Sequence, residues 1–292
     1  MAFRRRIGAN CHMDRARFDD LAVTYERNAI AQKGAGEALC ALVPIGSEDD
    51  VLDVGCGPGH LTRRLRLATR GRVEGVDASP AMVEEARRAA RLEDPSYATQ
   101  RSAQRTLRFT VARAEDLAFD AEFDVVLCNS AFHWFRDPSR ALARMREALR
   151  PGGRLGVQAP ATRLYCPSFV AAMAKVAAHP DTRRTFARFR NPWLFLESSD
   201  AYRALMERAG FAVHLARLQA QRERQPPEGA MRMFESGAVA GYLAQESYDV
   251  PIDGEYSRIV REIVRASLAA EAGADGMVEL VFNRVFVVAT KA

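Results

Sequence analysis

Val51-Leu52-Asp53-Val54-Gly55-Cys56-Gly57-Pro58-Gly59-His60-Leu61 decides how this chain is read. A short apolar run gives way to three glycines at alternate positions, and an amphipathic stretch follows. Glycines placed there make a tight turn out of a strand and let a ligand approach the backbone where a helix starts. A dinucleotide fingerprint needs G-x-G-x-x-G, but the third glycine arrives one residue early, behind Pro58, and an acid sits two residues before the first. A P-loop is excluded because G-x-x-x-x-G-K-S/T is absent.

Outward from this stretch, short apolar runs alternate with helical stretches. Val73-Glu74-Gly75-Val76 and residues 107–111, 124–128 and 155–158 predict further strands, the pattern of successive βαβ units and a mainly parallel sheet. Residues 211–218 predict a sixth strand. Residues 278–289 predict a seventh, a nearly continuous apolar run interrupted by Asn283-Arg284, and so little alternation implies an interior strand although it comes last. Between the strands, Ser79-Pro80 predicts a helix cap and first turn. Ser139 predicts the cap of a helix bearing Leu142, Met145 and Leu149, ended by Pro151-Gly152-Gly153, and a third helix runs from Ser199 to Gly210.

The 292 residues, 48% hydrophobic and 27% charged, are those of an ordinary globular protein, which removes disordered and membrane-spanning readings. The net charge of +5 invites a nucleic-acid reading, but all of the 42 basic residues except Lys33, Lys175 and Lys291 are arginines, spread along the whole chain. That is compositional bias, not a binding patch, so no nucleic-acid partner is expected. Arg4-Arg5-Arg6 has no apolar segment behind it, so neither signal peptide nor membrane anchor is expected and a cytoplasmic location follows. Five cysteines without a C-x-x-C pair fit a reduced compartment and no structural metal.

The D-x-G-x-G-x-G stretch, with Asp77 at the end of the second strand, resembles the first motif and its partner acid in class I S-adenosylmethionine-dependent methyltransferases. The resemblance covers residues 52–157. It implies an α/β, Rossmann-like sheet of seven mainly parallel strands, the last antiparallel, with a helical cover built from insertions, and S-adenosylmethionine as cofactor. Gly55, Cys56, Gly57 and Gly59 would pass along the cofactor, with Asp53 helping to hold its ammonium group. Asp77 would accept both ribose hydroxyls, a diol for which a carboxylate is the natural bidentate acceptor. Ala78 and Met82 would pack on adenine, although Met82 is equally explained as core.

Residues 112–117 resemble the family's adenine-contact segment, but Arg113 stands where an acid is usual, so the contact shifts to Glu115 or to the Ala114 backbone. After the fourth strand, Asn129-Ser130-Ala131-Phe132-His133-Trp134-Phe135 occupies the place of methyl transfer. Asn129 would meet the methionine end of the cofactor. His133 is the candidate general base and, with Trp134, a candidate acceptor contact; closing the core is the alternative for the aromatics. No Asn-Pro-Pro-Tyr-like tetrapeptide of amino methylases follows the strand.

Residues 18–26 and the H-W-F-x-D-P segment look like the subgroup of biotin-pathway malonyl-carrier-protein O-methyltransferases and trans-aconitate methyltransferases. This implies a small-molecule acid or an acyl-carrier-bound acid as methyl acceptor, and makes Tyr25 a candidate cofactor contact. An acid acceptor calls for an arginine clamp; Arg163, Arg188, Arg190 and Arg232 lie in the insertions, and the sequence singles out none of them. Pro192-Trp193-Leu194-Phe195 and Met231-Arg232-Met233-Phe234 supply a lid, a pocket or core. The organisation expected is one domain: an N-terminal cap over 1–50, a cofactor-binding core over 51–160, cover insertions over 161–198 and 221–276, and a last strand over 278–290. The competing reading, a binding or assembly protein of this fold without methyl transfer, is motivated by Arg113.

Overall fold

Strand β1 (Val51–Val54) is buried along its whole length, as expected of a strand flanked on both edges and covered on both faces. In the computed structural model, which describes residues 30–94, 97 and 106–292, it pairs in parallel with β2 (Val73–Asp77) on one side and β4 (Phe123–Asn129) on the other. With β3 (Leu107–Val111), β5 (Leu149–Pro160), β6 (Phe211–Gln225) and β7 (Val278–Lys291), the order across the seven-stranded sheet is β3-β2-β1-β4-β5-β7-β6. Only β7 runs antiparallel, inserted between β5 and β6. The chain winds from β1 to β3 in one direction and returns to β4 for the other. The reversal lies between β1 and β4, and their carboxyl ends therefore frame the crevice where such sheets bind ligands.

Each face has its own core. On one, Leu39 of helix α1 (Ile30–Leu42), Leu65 of α2 (His60–Ala68) and Val83 and Ala86 of α3 (Pro80–Glu93) pack on Val51, Phe109 and Leu127. On the other, Leu142 and Met145 of α4 (Pro138–Ala148) join the core of β4, β5 and β7 together with α7 (Ser199–Arg208), which contributes Tyr202 and Met206. A third cluster forms the cover. It unites α5 (Pro167–Ala178), α8 (Pro227–Glu235), α9 (Val239–Tyr242) and α10 (Gly254–Ala270) with Val278, Leu280 and Phe282 of β7; the short α6 (Arg183–Phe186) follows α5.

Several sequence expectations move. Helix α4 is capped by Asp137, whose side chain accepts from the Arg140 N–H, and not by Ser139, because Pro138 takes the first helical position. Residues 151–153 do not end a helix but lie inside β5, which starts directly after α4. Strand β6 continues to Gln225, so the second insertion starts after that residue and not at 221. Its outer half is polar because it is a two-stranded ladder with β7, laced by Arg222–Glu279, while Arg224 reaches Asp275 just before β7. Of the expected cap over 1–50, residues 1–29, including Tyr25, lie outside the described residues.

Candidate functional site

The turn after β1 is held from behind. Gly55 and Cys56 donate their N–H groups to the Val76 carbonyl at 2.8 and 3.0 Å, and Arg63 Nη1 donates to the Pro58 carbonyl at 2.7 Å. All three glycines have positive φ, but they serve different ends. A Cβ on Gly55 would lie 2.2 Å from Cβ of Ala131, so its absence lets the β1 and β4 loops meet. A Cβ on Gly59 would strike Phe109 and Ala86, so the missing side chain serves helix-to-strand packing. A Cβ on Gly57 would meet none of the described residues within 4 Å. Among them, Gly57 is where the backbone lies bare.

Asp77, at the end of β2, accepts from the Gly57 N–H through Oδ2 and from the Ser79 N–H through Oδ1, each at 2.9 Å. This ties the glycine turn to the start of α3, where Ser79 caps the Met82 N–H. Asp53 is 1% exposed and accepts one hydrogen bond, from Thr62 Oγ1 at 2.7 Å. Burial pushes its carboxyl up to about 7; the Thr62 bond opposes the shift and the Asp77 charge adds to it. Two carboxylates thus flank the turn.

Glu115, expected at an adenine, is engaged elsewhere. Its carboxylate accepts from the Arg136 and Asp137 N–H groups and pairs with Arg113 at 3.5 Å, so it anchors the segment after β4. Ala114 is buried, Ala78 half-buried, and Met82 is packed in the interior as its core alternative requires. Cys56 is buried, and burial raises its thiol well above the ordinary range, which leaves it unreactive.

The segment after β4 has two sides. Asn129 and Ala131 face α1 and the glycine turn: a Cβ on Gly36 of α1 would lie 3.1 Å from Asn129 Nδ2. Ser130, His133 and Trp134 line a cavity with about 620 Å³ of empty space, including the part open to solvent. Ser130 has φ 57, a left-handed conformation rare for a side-chain-bearing residue. Its N–H donates to the Gln158 carbonyl at 2.8 Å and its hydroxyl lies 2.9 Å from the Gln158 amide. The cover supplies Tyr165, Trp193, Phe195 and Met233 to the cavity, and β7 supplies Phe282 and Arg284. Burial, with the Arg284 charge adding to it, pushes the His133 imidazole down to about 3, and its Nδ1 has no hydrogen-bond partner among the described residues.

Residues 52–157 match the model of a methyltransferase domain. Over that segment the chain is similar to methyltransferases. Over 140 residues it is 36% identical to a malonyl-[acyl-carrier protein] O-methyltransferase of Hahella chejuensis, covering 47% of this chain and 46% of that one, so it spans about half of that relative's length. Over 276 residues it is 29% identical to a trans-aconitate 2-methyltransferase of Deinococcus radiodurans, covering 91% and 96%. The YcgJ protein of Bacillus subtilis shares the fold, with a TM-score of 0.57 at 17% identity over 89% of this chain and 98% of that one.

The turn and its flanking carboxylates offer a set of groups that S-adenosylmethionine would fit. The bare face of Gly57 and the pair of carboxylates suit a ligand carrying an ammonium and a sulfonium, and Asp53 has no cation of its own in contact among the described residues. A free Asp carboxyl ionises near 3.8, so between about pH 4 and 7 the folded domain keeps a proton that the unfolded chain has lost. Stability contributed by Asp53 is therefore present at low pH and lost as pH rises to about 7. An ammonium beside the carboxylate reverses this preference. S-adenosylhomocysteine, which keeps that ammonium, is expected to release most of one proton on binding at pH 6 and almost none at pH 8.5. Calorimetry in buffers of different ionisation heat measures this, and an unchanged proton count in Asp53→Asn would refute the assignment.

Sequence reasoning brought Asp53, Gly55, Gly57, Asp77 and Asn129 to one crevice, and His133 and Trp134 to the cavity beside it. It also named Trp193, Phe195 and Met233 as pocket or core. The four arginines it offered as clamps are not among the cavity residues: Arg163 pairs with Glu197, Arg188 and Arg190 share Asp249, and Arg232 is exposed. The arginine in the cavity wall, Arg284, was missed. Its signal was the charged interruption in the last apolar strand.

Proposed function

We propose that the chain transfers the methyl group of S-adenosylmethionine to a carboxylate oxygen of a small or carrier-bound acid. The observation that carries this reading is the cavity opening from Ser130, His133 and Trp134, directly after Asn129 and in contact through Ala131 with the glycine turn. Both named relatives act on acids by their printed names.

The cofactor, when bound, supplies a methyl group already activated as a sulfonium. Asp77 would hold the ribose hydroxyls, Asp53 the ammonium, and the Gly57 backbone the methionine portion. What remains for the chain is alignment of the acceptor, which is worth on the order of 7–11 kcal/mol when the reacting atoms are held in line. A carboxylate acceptor has no proton to lose. His133 then needs no role as a base, and with its imidazole at about 3 it is neutral throughout the working range; its Nδ1 serves as a hydrogen-bonding group that an acceptor satisfies. Trp134 bounds the cavity on the same side. A cytoplasmic setting belongs to this reading and is supported by the free thiols of Cys40, Cys56, Cys128 and Cys166; among the described residues no helix is long and apolar enough to cross a membrane.

The test is a screen over small acids, acyl-carrier thioesters, phenols and amines, following formation of S-adenosylhomocysteine. Turnover confined to acids is expected. Cofactor binding with no turnover on any class would favour the binding-protein reading instead. With a productive acid, kcat is expected to show no loss of activity across pH 6–7 from protonation of His133, whereas kcat/KM for the cofactor falls below about pH 7 as Asp53 takes up its proton. A kcat limb near 6.5 that disappears in His133→Asn would restore the histidine as base.

A further inference from the structure

We infer that Arg284 selects the acceptor: it anchors a single carboxylate in an aromatic-walled cavity, so the acceptor is a monocarboxylic acid with an apolar or aromatic body. This rests on the methyltransferase reading and names its substrate class.

Arg284 sits on β7, in the interior of the sheet, 2% exposed and in the wall of the cavity. Its guanidinium lies 5.5 Å from the centre of the Phe282 ring. Nη1 is 3.4 Å from the Ser130 hydroxyl. With the Gln158 amide turned so that its oxygen faces the guanidinium, Gln158 accepts from Nη1 at 2.9 Å and donates to Asn129 Oδ1 at 2.8 Å. A continuous set of polar contacts therefore runs from Asn129, at the cofactor end of β4, to a cation at the cavity wall. A planar, always-charged fork held in this way matches a carboxylate, and the apolar surroundings strengthen the attraction.

The described part of the wall offers more highly charged acids no second cation. Among the described residues that line the cavity, Arg284 is the one permanent cation and none is acidic. Rings dominate the remainder: Phe195 stacks on Tyr165 at 5.2 Å and on Trp193 at 5.7 Å, and Trp134 meets Trp193 edge-on at 5.6 Å. A second or third carboxylate would be buried against these rings without a partner, which is costly.

Both tryptophans of the chain, Trp134 and Trp193, line this cavity, so intrinsic fluorescence reports its occupancy. In the presence of S-adenosylhomocysteine, 4-phenylbutanoate is expected to bind at least about tenfold more tightly than 4-phenylbutanamide, one unit of about 1.4 kcal/mol. Arg284→Gln is expected to abolish that preference, the acid losing far more affinity than the amide, and Arg284→Lys to restore part of it. Equal binding of acid and amide by the parent protein would overturn the proposal, as would tighter binding of a tricarboxylate such as trans-aconitate. The parent comparison decides even where Arg284→Gln fails to fold. Calorimetry with S-adenosylhomocysteine separates the two levels: its failure to bind would overturn the methyltransferase reading, whereas acid selectivity in its absence would still support Arg284 as a carboxylate site.

Discussion

Gly57→Ala is expected to fold as the parent protein does and yet to lose most of its affinity for S-adenosylhomocysteine. The added Cβ meets no atom of the described residues within 4 Å, so their packing bears only the left-handed backbone at φ 53. That costs about 1–2 kcal/mol, a fall of several degrees in Tm. The methyl group instead takes space against the ligand. Crowding of this kind costs about 1–3 kcal/mol, or roughly 5–150-fold in Kd. Gly55→Ala is expected to do the opposite, because its Cβ would sit 2.2 Å from that of Ala131 and the two loops cannot both keep their places. A stability loss above about 3 kcal/mol is the expected result there. Thermal denaturation and calorimetry on the two variants check the pair; a Gly57→Ala protein that binds S-adenosylhomocysteine as the parent does would remove the turn from the binding site.

Asp77→Asn is expected to weaken S-adenosylhomocysteine binding by about two orders of magnitude. Each carboxylate oxygen accepts a backbone N–H at 2.9 Å, one from Gly57 and one from Ser79. An amide of the same shape can accept on one side only and turns a donor toward a donor on the other. The turn then loses a charge-assisted bond of about 1.5–3 kcal/mol, and the ribose hydroxyls lose the acceptor proposed for them. Calorimetry measures the loss. A decrease below about threefold would show that Asp77 only braces the turn.

The glycine turn, Asp77 and the Ser79 cap were legible because their chemistry is local: a strand, a turn and a helix start lie within a few residues of one another, and each residue type there has a mechanical reason. The helix after β4 shows the same rule misapplied, since Asp137-Pro138 repeats the logic of Ser79-Pro80 and Asp137 is the cap. The bonds that Glu115 makes within the protein were hidden for another reason. Its partners, the backbone at 136 and 137, lie across a loop whose path no spacing reveals. The outer half of β6 was read as an insertion because the positions on its half-buried face are Gln221, Glu223 and Gln225, so no apolar alternation marks the strand.

The cavity was the least legible part. Its wall unites residues from the β4 loop, the two insertions and β7, and the Arg284–Ser130 contact spans 154 positions. With 39 arginines to choose from, abundance hid the relevant one among the surface residues of the insertions. Asn283-Arg284 was nevertheless visible as a break in a buried strand, and such a break asks for an explanation. Asn283 supplies part of it by donating through Nδ2 to the Leu164 carbonyl at 2.7 Å, which fastens the first insertion to the sheet.

The position of Arg284 on an interior strand separates two kinds of selectivity in the protein's evolution. Its guanidinium is borne by the most constrained part of the molecule, whereas most of the rings around it come from the inserted cover. The cover can be rewritten without disturbing the strand, so descendants of such a chain can drift in the size and shape of molecule they admit while remaining readers of negative charge. Transplanting 161–198 and 226–277 between related chains would then exchange the silhouette of the guest and leave its sign unaltered.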